Sequence, residues 1–342
     1  MLASAQVGKL YTVTARKNKG AATLLKRAEP MTGTKEKSRF AAAALHGAAW
    51  GFCVVIFLTG CRLMPFAAKR DVSEKLELNR QGIAAFERQE YDTAEKKFIE
   101  AAERDKADLT SRRYYAETLW ARGAKSEAVQ LLAELSKTEG PLDDSLAINQ
   151  SLAEKLLEEK QPVSALNYAE RVVQSSPQSS GGWALRAEVY RQLGKNEEAI
   201  GDYHHALHFD PDNRAFLRSL AELESQAGRN ESSLATWQRL GRTYPGNSQP
   251  EEVLCGKAEA CRRLKRYDES IRCYEQVLSE HPDRSSLYRL LAEIHLERND
   301  MSSAQEVTRR AEGVFPDDPA IHELASRIEQ LRIARSEEGS PY

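Results

Sequence analysis

The sequence predicts an all-α solenoid of stacked helical hairpins behind an N-terminal targeting segment. A small residue returns at Gly82, Ala116, Ala153, Ala187, Ala221, Ala258 and Ala292, with gaps of 34, 37, 34, 34, 37 and 34 residues. A fixed period in that range marks a helical repeat array. Around one such residue, Trp183, Ala187 and Tyr190 stand four and three apart, and Ala199, Tyr203 and Ala206 repeat the pattern, which places each trio on one helix face. Turn residues punctuate the two stretches: Gly194-Lys195-Asn196 between them and Asp210-Pro211-Asp212-Asn213 after them.

Small residues at Ala187 and Ala199 let two helix backbones approach closely, and the aromatics fill the space that remains. One hairpin cannot enclose that apolar face, so neighbours must stack to bury it. The string Trp183, Ala187, Tyr190, Ala199, Tyr203, Ala206, Pro211 resembles the tetratricopeptide repeat, with Arg186 standing where that family has Leu. The resemblance implies a right-handed superhelical solenoid of about seven helix-turn-helix units with a C-terminal capping helix.

In this register the units fall at 75–108, 109–142, 146–179, 180–213, 214–247, 251–284 and 285–318. Five close on Pro177, Pro211, Pro245, Pro282 and Pro316. The first has Lys106 at that place, and the second has Gly140 followed by Pro141. Two three-residue additions break the period, one in Pro141-Leu142-Asp143-Asp144-Ser145 and one in Gly246-Asn247-Ser248-Gln249-Pro250. They read as lengthened surface loops, which cost little entropy, or as bends that shape the array. Ile321, Leu324, Ile328, Leu331 and Ile333, mixed with Glu and Arg, predict a capping helix over 319–336, followed by a flexible tail at 337–342.

Ahead of the array, residues 1–60 read as a targeting segment. An apolar run from Ala41 to Gly60 follows Lys35, Lys37 and Arg39, the layout of a secretory signal. It ends in Leu58-Thr59-Gly60-Cys61, which resembles the lipobox of bacterial lipoproteins. That resemblance implies cleavage before Cys61, lipid attachment to its thiol and a short tether over 61–74. Met31 is a candidate start, because 31–61 has the length of an ordinary lipoprotein signal. Arg62, where inner-membrane retention in some bacteria needs Asp, favours the outer membrane or the periplasmic face. Two alternatives stay open. The run of roughly 20 residues can remain uncut as a membrane span, holding an adaptor or chaperone-type array that faces the cytoplasm. The Lys-, Arg-, Ser- and Thr-rich stretch from Leu2 to Arg39 also has the composition of an organelle transit peptide.

The 342 residues carry a net charge of −2. Residues 1–60 hold nine Lys or Arg against two Asp or Glu, which leaves the rest near −9. An acidic body without a basic stripe argues against nucleic-acid binding. No Gly-rich phosphate loop, nucleophile elbow or Cys-x-x-Cys pair is present, so the chain reads as a non-enzyme without cofactor or small-molecule substrate. His204 and His208, one helical turn apart, have a metal-chelating spacing, and a solvated face is the plainer reading. Cys261 falls on an apolar helix position, facing Cys273 across one hairpin, and the two could form a disulfide in an oxidising compartment.

Protein or peptide partners, and a membrane through the N-terminus, are the expected contacts. In the family this chain resembles, first helices line the inner surface and the residue after the small one points into it. Here that residue is Glu117, Glu154, Glu188, Glu222, Glu259 and Glu293, an acidic ladder suited to a basic or amide-rich segment. Arg113, Arg218 and Arg289, each four residues earlier, are placed to neutralise three of the six. The carboxylate clamp of chaperone-binding repeats needs Lys and Asn where this chain has Asn79, Arg113, Gln150, Ala184, Arg218, Cys255 and Arg289, and the Glu series, so that ligand is not expected.

Overall fold

The computed structural model describes residues 66–246 and 249–338, with side chains over 73–246 and 249–334. Cys61, the apolar run before it, Asn247, Ser248 and the last four residues lie outside the described residues. Fifteen helices and no strand occur among the described residues. Seven hairpins come first: α1 Phe66–Glu87 with α2 Tyr91–Arg104, α3 Leu109–Ala121 with α4 Lys125–Leu135, α5 Leu142–Glu158 with α6 Pro162–Ser175, and α7 Ser180–Gln192 with α8 Asn196–Phe209. They continue as α9 Arg214–Gln226 with α10 Asn230–Arg242, α11 Glu251–Arg263 with α12 Tyr267–Glu280, and α13 Ser285–Glu297 with α14 Met301–Val314, and α15 Pro319–Glu338 closes the stack. Each helix packs on its sequence neighbours, and first helices of several successive hairpins touch, so contacts run along one dimension.

The core is built on the recurring small residues. Gly82 is buried, and Ala116, Ala153, Ala187, Ala221, Ala258 and Ala292 are wholly inaccessible. The second helices present a matching small column at Ala94, Ala128, Ala165, Ala199, Ser233, Ser270 and Ala304, also wholly inaccessible. Where Ser replaces Ala, its hydroxyl is satisfied across the hairpin: Ser233 and Ser270 each donate at 2.8 Å to the carbonyls of Ala221 and Ala258. Large side chains then fill each interface. A Cβ on Gly82 would stand 2.6 Å from the Phe98 ring, and one on Gly256 would stand 2.3 Å from the Trp237 ring, so both glycines admit an aromatic where alanine would not fit.

Every hairpin turns through three residues, and the middle one is left-handed: Gln89, Gly123, Lys160, Gly194, Gly228, Lys265 and Asn299 have φ between 57° and 90°. The N–H of the third turn residue bonds back to the first helix at 2.8–2.9 Å, from Glu90 to Ala85, Lys195 to Tyr190 and Asp300 to His295, for example. This is the Schellman closure, repeated once per hairpin.

Two boundaries differ from the sequence expectation. The first addition is helical: α5 has 17 residues where the other interior first helices have 13. Pro141 precedes the helix, Asp143 and Asp144 sit in its first turn where the helix dipole favours acids, and the Thr110 hydroxyl donates to Asp144 at 2.6 Å. The extra residues thus become helix anchored to the preceding hairpin. At the other end of the same interval, α1 begins at Phe66, upstream of the unit boundary at 75, so most of the expected tether is helix. The second addition remains a loop on its described side, where Gly246 is left-handed. The cap buries Ile321, Leu324 and Ile328 against the last hairpin and leaves Leu331 and Ile333 exposed.

The turn geometry gives a paired stability test. Nothing lies within 4 Å of a Cβ built on Gly194 or Gly201, so packing is silent at both. Gly194→Ala forces a left-handed alanine and is expected to cost about 1–2 kcal/mol. Gly201→Ala, in the exposed middle of α8, is expected to add about 1 kcal/mol. Urea unfolding of the two variants beside the parent checks both signs.

Candidate protein-binding surface

The residue after each small one projects from the first helices, and the structure shows what each carboxylate meets. Glu117 takes an ion pair from Lys155 at 3.2 Å and a hydrogen bond from the Ser151 hydroxyl, both on the next first helix. Glu154 accepts from Gln150 at 3.0 Å. Glu188 is gripped by Arg191, whose Nε lies 2.7 Å away, and Glu259 by Arg263 at 2.8 Å. Glu293 lies 3.4 Å from Arg262, which also binds Glu297. Glu222 alone of the six has no direct partner among the described residues. Its side chain reaches solvent, yet crowding of the carboxyl group, with Glu252 and Glu188 nearby, raises its pKa against the pull of Arg218.

The expected neutralisation by residues four positions earlier is not the arrangement found. Arg113 lies over the Tyr114 ring at 4.3 Å, Arg218 pairs with Glu252 at 3.4 Å in the following repeat, and Arg289 is exposed, with no ion pair among the described residues. An Arg preceding Glu by one turn opposes the helix dipole and is the weaker order. Cations placed three or four residues after the Glu, or on a neighbouring first helix, take the role instead. Four of the six acids, Glu117, Glu188, Glu259 and Glu293, are thus compensated by cations, and the same helices carry Arg191, Arg218, Arg262 and Arg263 beside them.

The surface changes character toward the N-terminus. Trp120 lies under the Lys125 and Lys155 ammonium groups at 4.9 and 5.2 Å, while Phe86 packs edge-on to Tyr91 and Leu76 is exposed. The first hairpins thus offer aromatic and apolar contact, and later ones offer paired charges.

Polar groups within the hairpins are explained by their partners. Arg186, the departure from the repeat pattern, makes two parallel bonds of 2.7 and 2.8 Å to Asp202, which is buried on the facing helix, and lies against Trp183 and Tyr190. Glu224 is 3% exposed, accepts from the Thr236 hydroxyl at 2.7 Å, and has its pKa raised by burial. His295 occupies the same register two repeats on, and burial lowers its pKa. Cys261 is buried, and Cys255 and Cys273 partly so; all three are free thiols, and burial pushes Cys255 and Cys261 up to about 11, far from thiolate reactivity at neutral pH. His204 and His208 lie on the exposed side of α8, and no group of three or more His, Cys, Asp or Glu able to hold a metal occurs among the described residues.

Family models described as tetratricopeptide repeat match residues 79–143, 184–248 and 262–328, which together make up more than half of the chain. The repeats are tetratricopeptide repeats. The chain is 26% identical over 107 residues to a TPR repeat-containing protein of Rhizobium etli, covering 31% of this chain and 52% of that one. It is 24% identical over 157 residues to the CTR9 homolog of Arabidopsis thaliana, covering 46% of this chain and 14% of that protein. It therefore spans about half of the first relative's length and a small part of the second's. A solved structure of the C-terminal part of a TPR repeat-containing protein from Cytophaga hutchinsonii superposes with a TM-score of 0.61 at 10% identity, over 72% of this chain and 98% of that one. At that identity the likeness shows the fold. The tetratricopeptide-repeat assignment makes the seven hairpins protein-interaction units as a class.

Glu224 supplies a pH test. Its folded pKa is raised above the ordinary value of 4.5, so the folded state prefers the protonated form; that preference is fully expressed below 4.5 and lost as pH rises through the folded pKa. Glu224→Gln keeps the acceptor for Thr236 and removes the charge. The variant is expected to melt higher than the parent at pH 7, with the difference vanishing as pH falls below 4.5, which scanning calorimetry across that range reads directly.

Proposed function

We propose that the chain is a membrane-anchored scaffold of the bacterial cell envelope, held by lipid on Cys61 and presenting its first-helix surface to protein partners. The observation that carries the anchor is Leu58-Thr59-Gly60-Cys61 at the end of the basic-then-apolar segment, followed almost at once by the helical array. Two or more acyl chains, at about 0.8 kcal/mol per buried methylene, hold a protein on a membrane without any spanning segment. Among the described residues no helix is long and apolar enough to cross a membrane.

Partner binding draws on the stacked repeats and on the surface they form. Aromatic and apolar groups at the first hairpins give contact area, and the acids from Glu117 to Glu293, four of them held by neighbouring cations, give register and selectivity to a segment carrying basic or amide groups. Such a segment competes with Arg191, Arg263 and Lys155 for carboxylates that are already positioned. The scaffold works by binding, and its repeats supply no reaction step.

Two variants test the two halves of this reading. Cys61→Ser is expected to move the protein from the membrane fraction to the soluble one, and mass spectrometry of the parent to show an acylated Cys61 at the mature N-terminus. An intact apolar segment on the parent would put the uncut-span reading in its place. Reversal of Glu188 and Glu222 to Lys is expected to leave the helical melt unchanged and weaken partner capture in a crosslinking pull-down about tenfold. Unchanged capture would remove the ladder from the account.

A further inference from the structure

Most arginines of the array are ion-paired, Arg191, Arg218, Arg229, Arg262 and Arg263 among them. Three that are not converge on one place. Arg214 opens α9, and Arg239 and Arg242 close α10, one helical turn apart on the same side. With Asp212 and Thr243 they line an open cleft of about 610 Å³ where the fourth and fifth repeats meet. None of the four charged side chains makes a salt bridge among the described residues, so the cleft carries three fixed positive charges against one negative.

Two of the arginines are braced. Arg214 donates through Nε to the Thr243 hydroxyl at 3.0 Å and through its terminal nitrogen to the Thr243 carbonyl at 2.5 Å, while lying 4.1 Å over the Tyr244 ring. Arg239 donates to the Pro211 carbonyl at 2.5 Å. Each guanidinium has five N–H donors, so these bonds fix the side chain and leave donors over. Arg242 makes no hydrogen bond or ion pair among the described residues and is exposed. Its position near the end of α10 suits the helix dipole, a benefit Arg214 and Arg239 already provide there. Burial first, and then the charges of Arg229 outside the cluster and Arg239 within it, hold the neighbouring His204 imidazole below its usual pKa.

We propose that this cleft is an oxyanion site that takes a phosphomonoester, carried by a phosphorylated Ser or Thr of a protein partner. A phosphomonoester brings −1.5 to −2 charge at pH 7 and three acceptor oxygens, which match a net charge of two and forked donors from three directions. A carboxylate brings half that charge and two oxygens. The recess is concave and two of its three arginines are held, features that suit a protruding group more than a flat lipid surface. The site stands apart from the Glu column. It rests on the scaffold reading only for the molecule that bears the phosphate; capture of the phosphate itself does not.

The test is a titration of the full chain, at constant ionic strength, with inorganic phosphate, O-phosphoserine and serine, read from the arginine Nε–H signals in an NMR spectrum. The expected result is saturable movement of the Arg214, Arg239 and Arg242 signals with phosphate and O-phosphoserine in the millimolar range and none with serine, weakened at least tenfold in Arg242→Gln at an unchanged melting temperature. Glu188→Lys with Glu222→Lys is expected to leave this binding intact even where partner capture falls. No saturable shift, or equal affinity in Arg242→Gln, would overturn the proposal. Arg242-dependent capture of anionic phospholipid vesicles without any response to O-phosphoserine would overturn it in favour of a membrane contact.

Discussion

The rest of the structure depends on the close approach of two helix backbones at one small residue per repeat. Ala116, Ala153, Ala187, Ala221, Ala258 and Ala292 are sealed because the facing helix offers another small residue, and only that double absence of bulk lets the hairpin close. Once it closes, its flanks become a surface that must be covered, and the next hairpin covers it. Gly82 beside Phe98 and Gly256 beside Trp237 show the same rule carried further, since the ring occupies the place where a methyl group would stand. Stability is then local and nearest-neighbour in kind, which lets side chains on the outer faces vary without cost to the fold.

That freedom explains the polar groups inside the stack. Arg186 stands where the repeat asks for Leu, and the structure tolerates it because Asp202 receives it with two bonds on the facing helix. The Thr236 hydroxyl meets buried Glu224 in the same way one repeat later. Each such pair replaces apolar contact by a bond that needs both partners, so it specifies which helices meet while adding little net stability.

Much of this was legible in the sequence. The small-residue column and the 34-residue step marked an all-α stack of hairpins, because packing at those positions is dictated by residues a few places apart on one helix. What was not legible depends on residues brought together from different repeats. The Glu column could be read, yet the donors that compensate it, Lys155 for Glu117 and Arg262 for Glu293, lie on neighbouring first helices and are found only when those helices are side by side. The cleft of Arg214, Arg239 and Arg242 is illegible in the sequence for the same reason: the three form no basic run and are scattered over two helices. The addition in Pro141 to Ser145 breaks the period and so suggests a loop or a bend, whereas two acids after a proline are a helix start, and local capping prevails over the count.

Hydrogen exchange on Ala187→Leu, compared with the parent, tests the central claim most directly. Three added heavy atoms cannot be absorbed where the parent residue is wholly inaccessible, so α7 and α8 should separate. Protection is expected to be lost in the helices from α6 to α9, with α13, α14 and the buried part of α15 retaining theirs, as nearest-neighbour coupling requires. Uniform loss along the whole array, or full retention at α7 and α8, would contradict it.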